Sequence, residues 1–411
     1  MVVTGIGAVT PHGDNPHHFF DALLRGESAI RLFKPEDVPH PVAIPAGYCA
    51  TFDGVASLGR SRANGMDRFS QISTFAAQSA WQDAGLDRDE SLPRNDIGVF
   101  WGTGGGGLST TERSYRDLYL RDKARISPVS VILGMNNAAA SHIAMGLGLG
   151  GANFTYSVAC ASSAIAIGEA FRRVRSGETP VMLAGGSETP LVYGVIRAWE
   201  SLQVLAPGDE ASAYSACRPF DMERQGLVLS EGAGAIVLED WEHAVNRGAH
   251  IYAELSGYGT SCDHTHLSRP DPAGQIRALA ATLADAGMQA SEIDYVNAHG
   301  TATREGDAAE ISALTQLFAD HSGQVAISAT KSMHGHTMGA AGVIEAIVTI
   351  LALERQAIPP TANLATVAPE CTGLRHITQG ETGVHVRAAL SNSFAFGGSN
   401  AVLAFREHAD S

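Results

Sequence analysis

The chain has little basic charge and few cysteines. Lysine and arginine number 28 against 43 aspartate and glutamate residues, so the formal net charge is −15 over 411 residues. A broad nucleic-acid surface needs a basic patch that displaces counterions, and this balance therefore argues against nucleic-acid binding. The five cysteines are scattered and form no CxxC pair, which argues against a disulfide framework or a zinc site and indicates a reducing compartment.

Long apolar runs and a secretory signal are also missing. The longest apolar stretches, such as 343–353, are too short to span a bilayer, and the first residues form an apolar strand with no basic region before it. We therefore expect a cytoplasmic protein without a membrane segment. With 45% hydrophobic and 17% charged residues, the composition is that of a globular protein with a substantial core.

Apolar, strand-like runs alternate with helical patterns along the chain. The pattern predicts helices at 73–84, 162–175, 273–287 and 340–354, and strands at 2–9, 97–101, 180–185, 233–239, 251–257, 293–298, 386–393 and 400–405. This alternation predicts an α/β layered fold with mostly parallel, buried strands. A break in the pattern near 241–250 predicts two domains, 1–245 and 246–411.

Cys160 stands between a short β-compatible run, 152–158, and a helical pattern that follows it. A cysteine at the N-terminus of a helix meets free amides and the positive end of the helix dipole, which favour its thiolate. On this segment alone, a small buried core thiol is the more common interpretation. Other segments of the sequence change that balance.

Three later segments place polar residues or glycines where apolar runs end. His299 lies in a turn of small residues after the predicted strand 293–298, and Lys331 and His336 precede a glycine-rich helix start. The segment 392–400 is a glycine-rich turn whose amides could stabilise an oxyanion. A lone histidine is usually structural, but two histidines, a lysine and a cysteine at such positions indicate a convergent site.

The four segments resemble, in order, those of the β-ketoacyl-acyl carrier protein synthases, especially the synthase II group of these condensing enzymes of the thiolase superfamily. The resemblance covers essentially the whole chain, including Val3-Thr-Gly-Ile-Gly-Ala-Val-Thr-Pro, Met66-Asp-Arg-Phe and Arg218-Pro-Phe-Asp. It implies the thiolase fold, with two similar βαβαβαββ halves in five layers (αβαβα), and a dimer. It also implies decarboxylative Claisen condensation of a cysteine-bound acyl chain with malonyl-acyl carrier protein, which adds two carbons to a fatty-acyl or polyketide chain.

The resemblance assigns a role to each residue of the convergent site. Cys160 matches the nucleophile that receives the acyl group, and a thiolate suits this role because it attacks thioesters readily. His299 and His336 match a pair of histidines that donate to the thioester oxygen, and Lys331 resembles a lysine that orients one of them and sets the local field. The amides of Cys160 and Phe396 match an oxyanion hole, and Phe396 also matches a gate.

The same resemblance implies supporting and substrate-binding residues. Glu345 matches a glutamate that pairs with the lysine, and Asp307 is a second supporting carboxylate. The positions expected to bind substrate or pantetheine are Thr301, Thr303, Trp199 and Gly397. No metal and no cofactor is expected, because 4′-phosphopantetheine arrives on the acyl carrier protein, which is the expected partner.

Some positions depart from the synthase II pattern. Val129 and Ser130 stand where two phenylalanines are common, Trp199 where a pocket phenylalanine is usual, and Ala395 and Ser230 replace glycines. These positions lie near the expected acyl tunnel and dimer surface. Chain length, pathway and the choice between a homodimer and a heterodimer therefore stay open.

A ketosynthase subunit that pairs with a chain-length-factor-like subunit, in a type II polyketide or aryl-polyene system, is accordingly the alternative. The basic residues expected to dock the carrier protein are also fewer than usual, with Arg60 and Arg62 remaining.

Three other interpretations fit less well. A thiolase would need a second catalytic cysteine near the C-terminus, and none follows Cys371. A non-catalytic chain-length factor would lack the nucleophile that Cys160 supplies. The run Gly102-Thr-Gly-Gly-Gly-Gly satisfies the nucleotide-binding pattern GxGxxG, but helical character resumes only later and GxxxxGK[ST] does not occur, so a turn or lid near the active site is favoured.

Overall fold

The computed structural model describes residues 1–89 and 92–408. Within these ranges the strands are β1 Val2–Val9, β2 Arg31–Phe33, β3 Ile44–Gly47, β4 Gly98–Gly102, β5 Asn153–Tyr156, β6 Val181–Glu188, β7 Leu229–Ser230, β8 Gly232–Glu239, β9 Ala253–Cys262, β10 Tyr295–Asn297, β11 Ala326–Ser328, β12 Ala357–Ile358, β13 Arg375–His376, β14 Glu381–Thr382, β15 Ala388–Phe394 and β16 Ser399–Arg406. The α-helices are α1 Pro16–Leu24, α2 Gly54–Leu58, α3 Arg60–Asn64, α4 Arg68–Asp83, α5 Leu108–Tyr119, α6 Ser130–Gly134, α7 Ala138–Leu147, α8 Ser162–Arg175, α9 Tyr193–Ser201, α10 Trp241–Asn246, α11 Pro272–Ala286, α12 Arg304–Phe318, α13 Lys331–His334 and α14 Ala341–Arg355.

The main sheet is built from the same arrangement twice. Its order is β13-β11-β10-β15-β16-β9-β1-β8-β6-β4-β5. The first half contributes β5-β4-β6-β8-β1 and the second β11-β10-β15-β16-β9, and in each set the pairs run parallel, parallel, antiparallel, antiparallel. The halves join where Val2 pairs with Glu254 and Val3 with Ala253. The predicted duplicated α/β fold is confirmed, while the exact boundary at 245 stays a prediction.

Two buried helices lie between the halves. Helix α8 packs on β4 and β6, α14 packs on β10 and β15, and the two helices contact each other. Helix α4 packs on β1 and β8, and α11 on β9 and β16, so helices also cover the outer faces of both halves of the main sheet. In α14 every residue from Ala341 to Leu353 is buried, as expected of a helix that is apolar on nearly all sides. The layers are therefore helix, sheet, helix, sheet and helix.

The strands are less uniformly parallel than the sequence pattern predicts. Five of the ten neighbouring pairs in the main sheet are antiparallel. The pair β15–β16 shows one cause, since its connection is only the turn 395–398. Such a short turn reverses the chain, whereas parallel neighbours need a long crossover, usually through a helix.

The predicted helices match observed ones, with one different start. The helix predicted at 73–84 begins earlier, at Arg68, because the Asp67 side chain accepts a hydrogen bond from the Phe69 amide and caps it. The predictions correspond to α4, α8, α11 and α14, while the other ten of the fourteen described α-helices were not predicted, among them α12, which carries residues of the site described below. In the part of the chain that the structure describes, no helix is both long and apolar enough to cross a membrane.

Candidate active site

Cys160 lies in a tight turn between β5 and α8. Ala159, directly before it, has a φ of 44°, in the left-handed region that residues with a Cβ rarely adopt. The Ser162 hydroxyl closes the turn, accepting from the Val158 amide at 2.8 Å and donating to the Ala159 carbonyl at 2.7 Å. The turn leaves Cys160 buried but lining a cavity of about 640 Å³.

His336 faces Cys160 directly. Its Nε2 lies 3.0 Å from Cys160 Sγ, and its Nδ1 accepts from the Met338 amide at 3.2 Å. Because Nδ1 is an acceptor, we assign the ring proton to Nε2, which then points at the sulfur. The main chain of His336 is bound on both sides, by its amide to the Val228 carbonyl at 2.7 Å and by its carbonyl to the Ser230 amide at 2.9 Å.

His299 completes the set from the turn that follows strand β10. Its ring centroid is 5.3 Å from that of His336. Lys331 Nζ lies 3.4 Å from His299 Nδ1 and donates to the His299 carbonyl at 2.6 Å. An ammonium can only donate, so His299 also carries its proton on Nε2. The lysine thus contacts His299, and the two imidazoles are Nε2–H donors.

Lys331 is held in turn by Glu345 of α14. Their side chains form an ion pair in which both are fully buried. Burial raises the pKa of Glu345 to about 7 against the lowering effect of Lys331. Removing either partner would leave a buried charge without its counterion, which is strongly destabilising. The predicted pairing of these two residues is therefore present in the geometry.

Glu310 of α12 is a site residue that sequence reasoning missed. Its buried carboxylate accepts from the amides of His299 and Gly300, both at 2.8 Å, and from Asn392 Nδ2 at 3.0 Å. It therefore fixes the main chain that carries His299. The signal in the sequence is a glutamate between the apolar residues Ala309 and Ile311. A helix predicted over this segment would have drawn attention to it, because the three residues are buried together.

Asp307, one turn earlier in α12, supports the neighbouring turn and does not line the cavity. Its carboxylate accepts from the Phe220 amide at 2.7 Å and the Ala302 amide at 3.1 Å, beside the buried Arg224. Thr301 and Thr303 flank Ala302, line the cavity, and have hydroxyls 2.9 Å apart. The structure thus places both threonines at the cavity and places Asp307 behind them.

Phe396 sits over Cys160 in the turn between β15 and β16. Its amide favours the thiolate of Cys160 and so lowers the pKa of that thiol, and its ring stacks on Trp199 with centroids 5.9 Å apart and planes 20° apart. Gly397 and Gly398 follow with φ of 87° and 75°, which a side chain would oppose. Trp199, Phe396 and Gly398 line the cavity, whereas Gly397 donates to the Leu267 carbonyl at 2.7 Å.

The positions that depart from the synthase II pattern fall in different places. Ala395 packs with Cys160 and Trp199, and the Ser230 hydroxyl donates to the Glu231 carbonyl at 3.2 Å. Val129 and Ser130, at the start of α6, lie on the surface away from the cavity, and Val129 is exposed. The basic residues Arg60 and Arg62 are exposed on α3.

Burial dominates the protonation of the site. It raises the pKa of Cys160 to about 12, although the Lys331 charge and the Phe396 amide oppose this rise. The helix N-terminus therefore does not produce the lowered thiol pKa that the sequence suggests, because desolvation disfavours the charged form. Burial, followed by the Lys331 charge, holds the pKa of His299 and of His336 well below the ordinary value. At neutral pH the resting site contains a thiol and two neutral imidazoles.

In residues 1–89 and 92–408, one cluster of potential metal ligands has its donor atoms within 4.8 Å of one another, and it consists of Cys160, His299 and His336. The Lys331 ammonium beside them opposes a bound cation. The arrangement instead suits a nucleophilic sulfur with two donors facing the same point, as acyl transfer to sulfur and stabilisation of a developing oxyanion require.

Fold and site together define a condensing enzyme that transfers acyl groups. The chain belongs to the β-ketoacyl synthase family: residues 1–244 match the family's "Beta-ketoacyl synthase, N-terminal domain" and residues 252–365 its "Beta-ketoacyl synthase, C-terminal domain". The thiolase-type fold and the resemblance inferred from the sequence motifs are confirmed by these matches and by the similar structures described next.

Similar proteins match nearly the whole length of the chain. Nodulation protein E of Rhizobium sp. (strain N33) is 41% identical over 99% of both chains. The 3-oxoacyl-[acyl-carrier-protein] synthase 2 of Synechocystis sp. is 38% identical, covering 99% of this chain and 98% of its own.

Among solved structures, the ishigamide ketosynthase/chain length factor superposes with a TM-score of 0.91 at 32% identity over 99% of both chains. A type II PKS acyl-carrier protein in complex with its ketosynthase bound to the hexaketide gives a TM-score of 0.89 at 29% identity, again over 99% of both chains.

The raised thiol pKa makes a prediction about reactivity. Because the thiolate is the reacting form, alkylation of Cys160 by iodoacetamide should still accelerate with pH at about pH 10, where an ordinary cysteine of pKa about 8.5 is already almost fully ionised. Peptide mass spectrometry after timed alkylation measures the rate, and the exposed Cys262 in the same chain is the internal reference. A rate for Cys160 that has stopped rising by about pH 10 would contradict the prediction.

Proposed function

We propose that this enzyme joins an acyl group carried on Cys160 to a malonyl group carried on acyl carrier protein, with loss of CO2, and so lengthens a fatty-acyl or polyketide chain by two carbons. The observation that carries the proposal is the convergence of Cys160 Sγ and the ring nitrogens of His299 and His336 within 4.8 Å, facing one cavity. The enzyme needs no cofactor of its own, because the carrier protein supplies the 4′-phosphopantetheine.

The first step loads the enzyme. The sulfur of Cys160 attacks the thioester carbonyl of the acyl-carrier protein, and a new carbon–sulfur bond forms. The amides of Cys160 and Phe396 receive the negative charge that develops on the carbonyl oxygen. Collapse of this intermediate breaks the bond to the pantetheine sulfur, which leaves as the thiol with the proton that Cys160 gives up. The His336 Nε2–H and the Phe396 amide stabilise the thiolate while it attacks.

The second step makes the carbon–carbon bond. A malonyl thioester enters along Thr301 and Thr303, whose hydroxyls we assign to pantetheine or malonyl binding, while Trp199 and the Gly397 turn complete the substrate-binding set. Its carbonyl oxygen accepts from the Nε2–H groups of His299 and His336. Loss of CO2 then leaves an enolate whose charge the two donors hold. The enolate carbon attacks the acyl carbonyl on Cys160, and the cysteine sulfur leaves.

Neutral histidines are the form that this step needs, and burial, followed by the Lys331 charge, keeps them neutral by lowering their pKa. Lys331 holds the proton of His299 on Nε2 by occupying the Nδ1 side, and Glu345 balances its charge. Glu310 and Asp307 act further back, by fixing the backbone around His299 and Thr301. The gate assigned to Phe396 would open by rotation at Gly397 and Gly398 once the acyl group has taken the place beside the sulfur.

We also propose that the enzyme works as a dimer. Strand β5 ends the main sheet, so its outer edge offers unpaired amides and carbonyls, and Phe154 on it is 49% exposed. Helices α6 and α7 continue this surface, with Val131 and Ile132 exposed by 74% and 55% and Met145 by 70%. Contiguous apolar surface of this kind is typical of an interface with another chain.

The occupant of that surface is a second copy or, as the alternative, a chain-length-factor-like subunit. The observations that support the alternative are the similarity to a ketosynthase/chain length factor and the departures at Val129 and Ser130, beside this surface. We further propose domains at 1–245 and 246–411, which the matched ranges 1–244 and 252–365 support. A cytoplasmic location is supported by the five cysteines, which are all free.

Replacement of the nucleophile tests the loading step. Intact mass spectrometry after incubation with acyl-carrier proteins of several chain lengths should show one added acyl group on the wild type and none on Cys160→Ala. Cys371→Ala, which removes another buried thiol, is the matched control and should be acylated like the wild type. Acylation that persists in Cys160→Ala would refute the proposed nucleophile.

Removal of one donor tests the second step separately. In His299→Ala the rate of condensation with malonyl-carrier protein should fall by about 10²–10³-fold, the usual effect of losing one oxyanion donor, while Cys160 still becomes acylated. His334→Ala removes a neighbouring buried histidine that does not line the cavity, and should retain most of the rate. Unimpaired condensation in His299→Ala would mean that the two-histidine mechanism is wrong.

A charged substitution on the exposed apolar surface of α6 tests the proposed dimer. Native mass spectrometry should give twice the chain mass for the wild type, and Val131→Glu should shift the protein toward the single chain by placing a charge in the interface. Val245→Glu, at an exposed apolar position elsewhere, should leave the mass unchanged. A wild-type chain that is monomeric, and that condenses only when a chain-length-factor-like subunit is added, would replace the homodimer with the heterodimer.

A further inference from the structure

Glu188, at the end of β6, is a buried carboxylate that no step above uses. Among the described residues its hydrogen-bond donors are all uncharged: the amides of Gly104 at 2.6 Å, Gly105 at 3.0 Å and Gly339 at 3.1 Å, and the Thr103 hydroxyl at 3.3 Å. A charged group taken out of water requires such compensation, and charge-assisted bonds from amides are the strong kind. The glycine-rich run 102–107 therefore directs its amides at an internal carboxylate.

The glycines around Glu188 are there because the contact is close. A Cβ on Gly104 would lie 2.8 Å from Glu188 Oε2, and a Cβ on Gly339 would lie 2.7 Å from the same oxygen and 2.5 Å from the Gly104 amide nitrogen. Side chains at these positions would push the loops off the carboxylate. The first half of the fold, through Gly104 and Gly105, and the second half, through Gly339, thus meet at one carboxylate.

A short chain of contacts leads from this carboxylate to the reacting sulfur. Gly339 follows Met338, whose φ of 48° is strained for a residue with a side chain. The Met338 amide is the donor that occupies His336 Nδ1 at 3.2 Å, and His336 Nε2 lies 3.0 Å from Cys160 Sγ. If the Gly339 turn moved, this amide would leave Nδ1, and the proton of His336 would no longer be fixed on Nε2.

We propose that Glu188 is a positioning residue: by binding the amides of Gly104, Gly105 and Gly339 it holds the strained Met338 turn that keeps His336 as an Nε2–H donor toward Cys160. The role rests on the proposed condensation, because it needs His336 to be a donor to the sulfur and to the thioester oxygen. Glu188 itself lies outside the cavity lining and does not touch the substrate.

The charge of Glu188 also acts on Cys160, and this separates the proposed role from a merely structural one. Its negative charge is one of the causes that raise the pKa of the thiol, after burial. A neutral replacement should therefore lower that pKa and move the alkylation profile of Cys160 to lower pH. A residue that only stabilised the fold would leave the midpoint of that profile where it is.

The test compares Glu188→Gln with Glu239→Gln. Glu239 is another buried glutamate, at the opposite end of the paired strands β6 and β8, and it bonds Thr4 and Arg247 away from the site. We expect Glu188→Gln to lower kcat for condensation by about 10- to 100-fold, the loss expected when a reacting group is misplaced by up to 1 Å. The KM for acyl-carrier protein should change less than twofold, and the iodoacetamide profile of Cys160 should shift to lower pH. Glu239→Gln should lower the unfolding temperature with no shift of the profile.

Two results would overturn the role. One is a Glu188→Gln enzyme whose kcat and alkylation profile match the wild type, and the other is an equal loss of kcat in Glu239→Gln. If Glu188→Gln does not fold, Gly104→Ala replaces it, since its Cβ displaces the carboxylate without removing it, and the same kcat loss is expected. Failure of the condensation proposal itself would look different, because the wild type would then give no condensation with any carrier substrate.

Discussion

The close approach of two buried helices is the constraint on which the site depends. Helix α8 begins just after Cys160, and α14 begins just after His336 and Gly339. A Cβ on Gly342 would lie 2.5 Å from the Ala164 amide nitrogen, so these helices meet backbone to backbone at their first turns. The thiol of one half and the histidine of the other are thereby held 3.0 Å apart, although 176 residues separate them.

Burial beside these two helices sets the protonation of the site. It makes the imidazoles neutral and the thiol weakly acidic, and it makes each remaining charge depend on a partner. Lys331 has Glu345, while Glu310 and Glu188 have backbone amides. Each of these contacts also holds a segment next to Cys160, His299 or His336. The same bonds therefore balance the buried charges and fix the geometry of the site.

Sequence patterns predicted the regular parts well and the connections poorly. Helix 162–175 and strand 2–9 have the predicted bounds because their apolar periodicity is strong. Helix α12 was missed, and Glu310 with it, because two carboxylates interrupt the apolar residues of its buried face and make the segment resemble a polar one. The parallel arrangement was overestimated because a four-residue turn between β15 and β16 sets strand direction, and no periodicity encodes that.

The sequence by itself determined the α/β fold and the class of enzyme, since ordered motifs around Cys160, His299, Lys331 and His336 are specific enough to indicate a condensing enzyme, and it predicted these four as the reacting side chains. Only the tertiary structure decided the protonation of those groups, the contact of Lys331 with His299, and the place of Glu188. The physical reason is that pKa and proton position depend on burial and on donors such as the Met338 and Phe396 amides, which reach the site from distant segments of the chain.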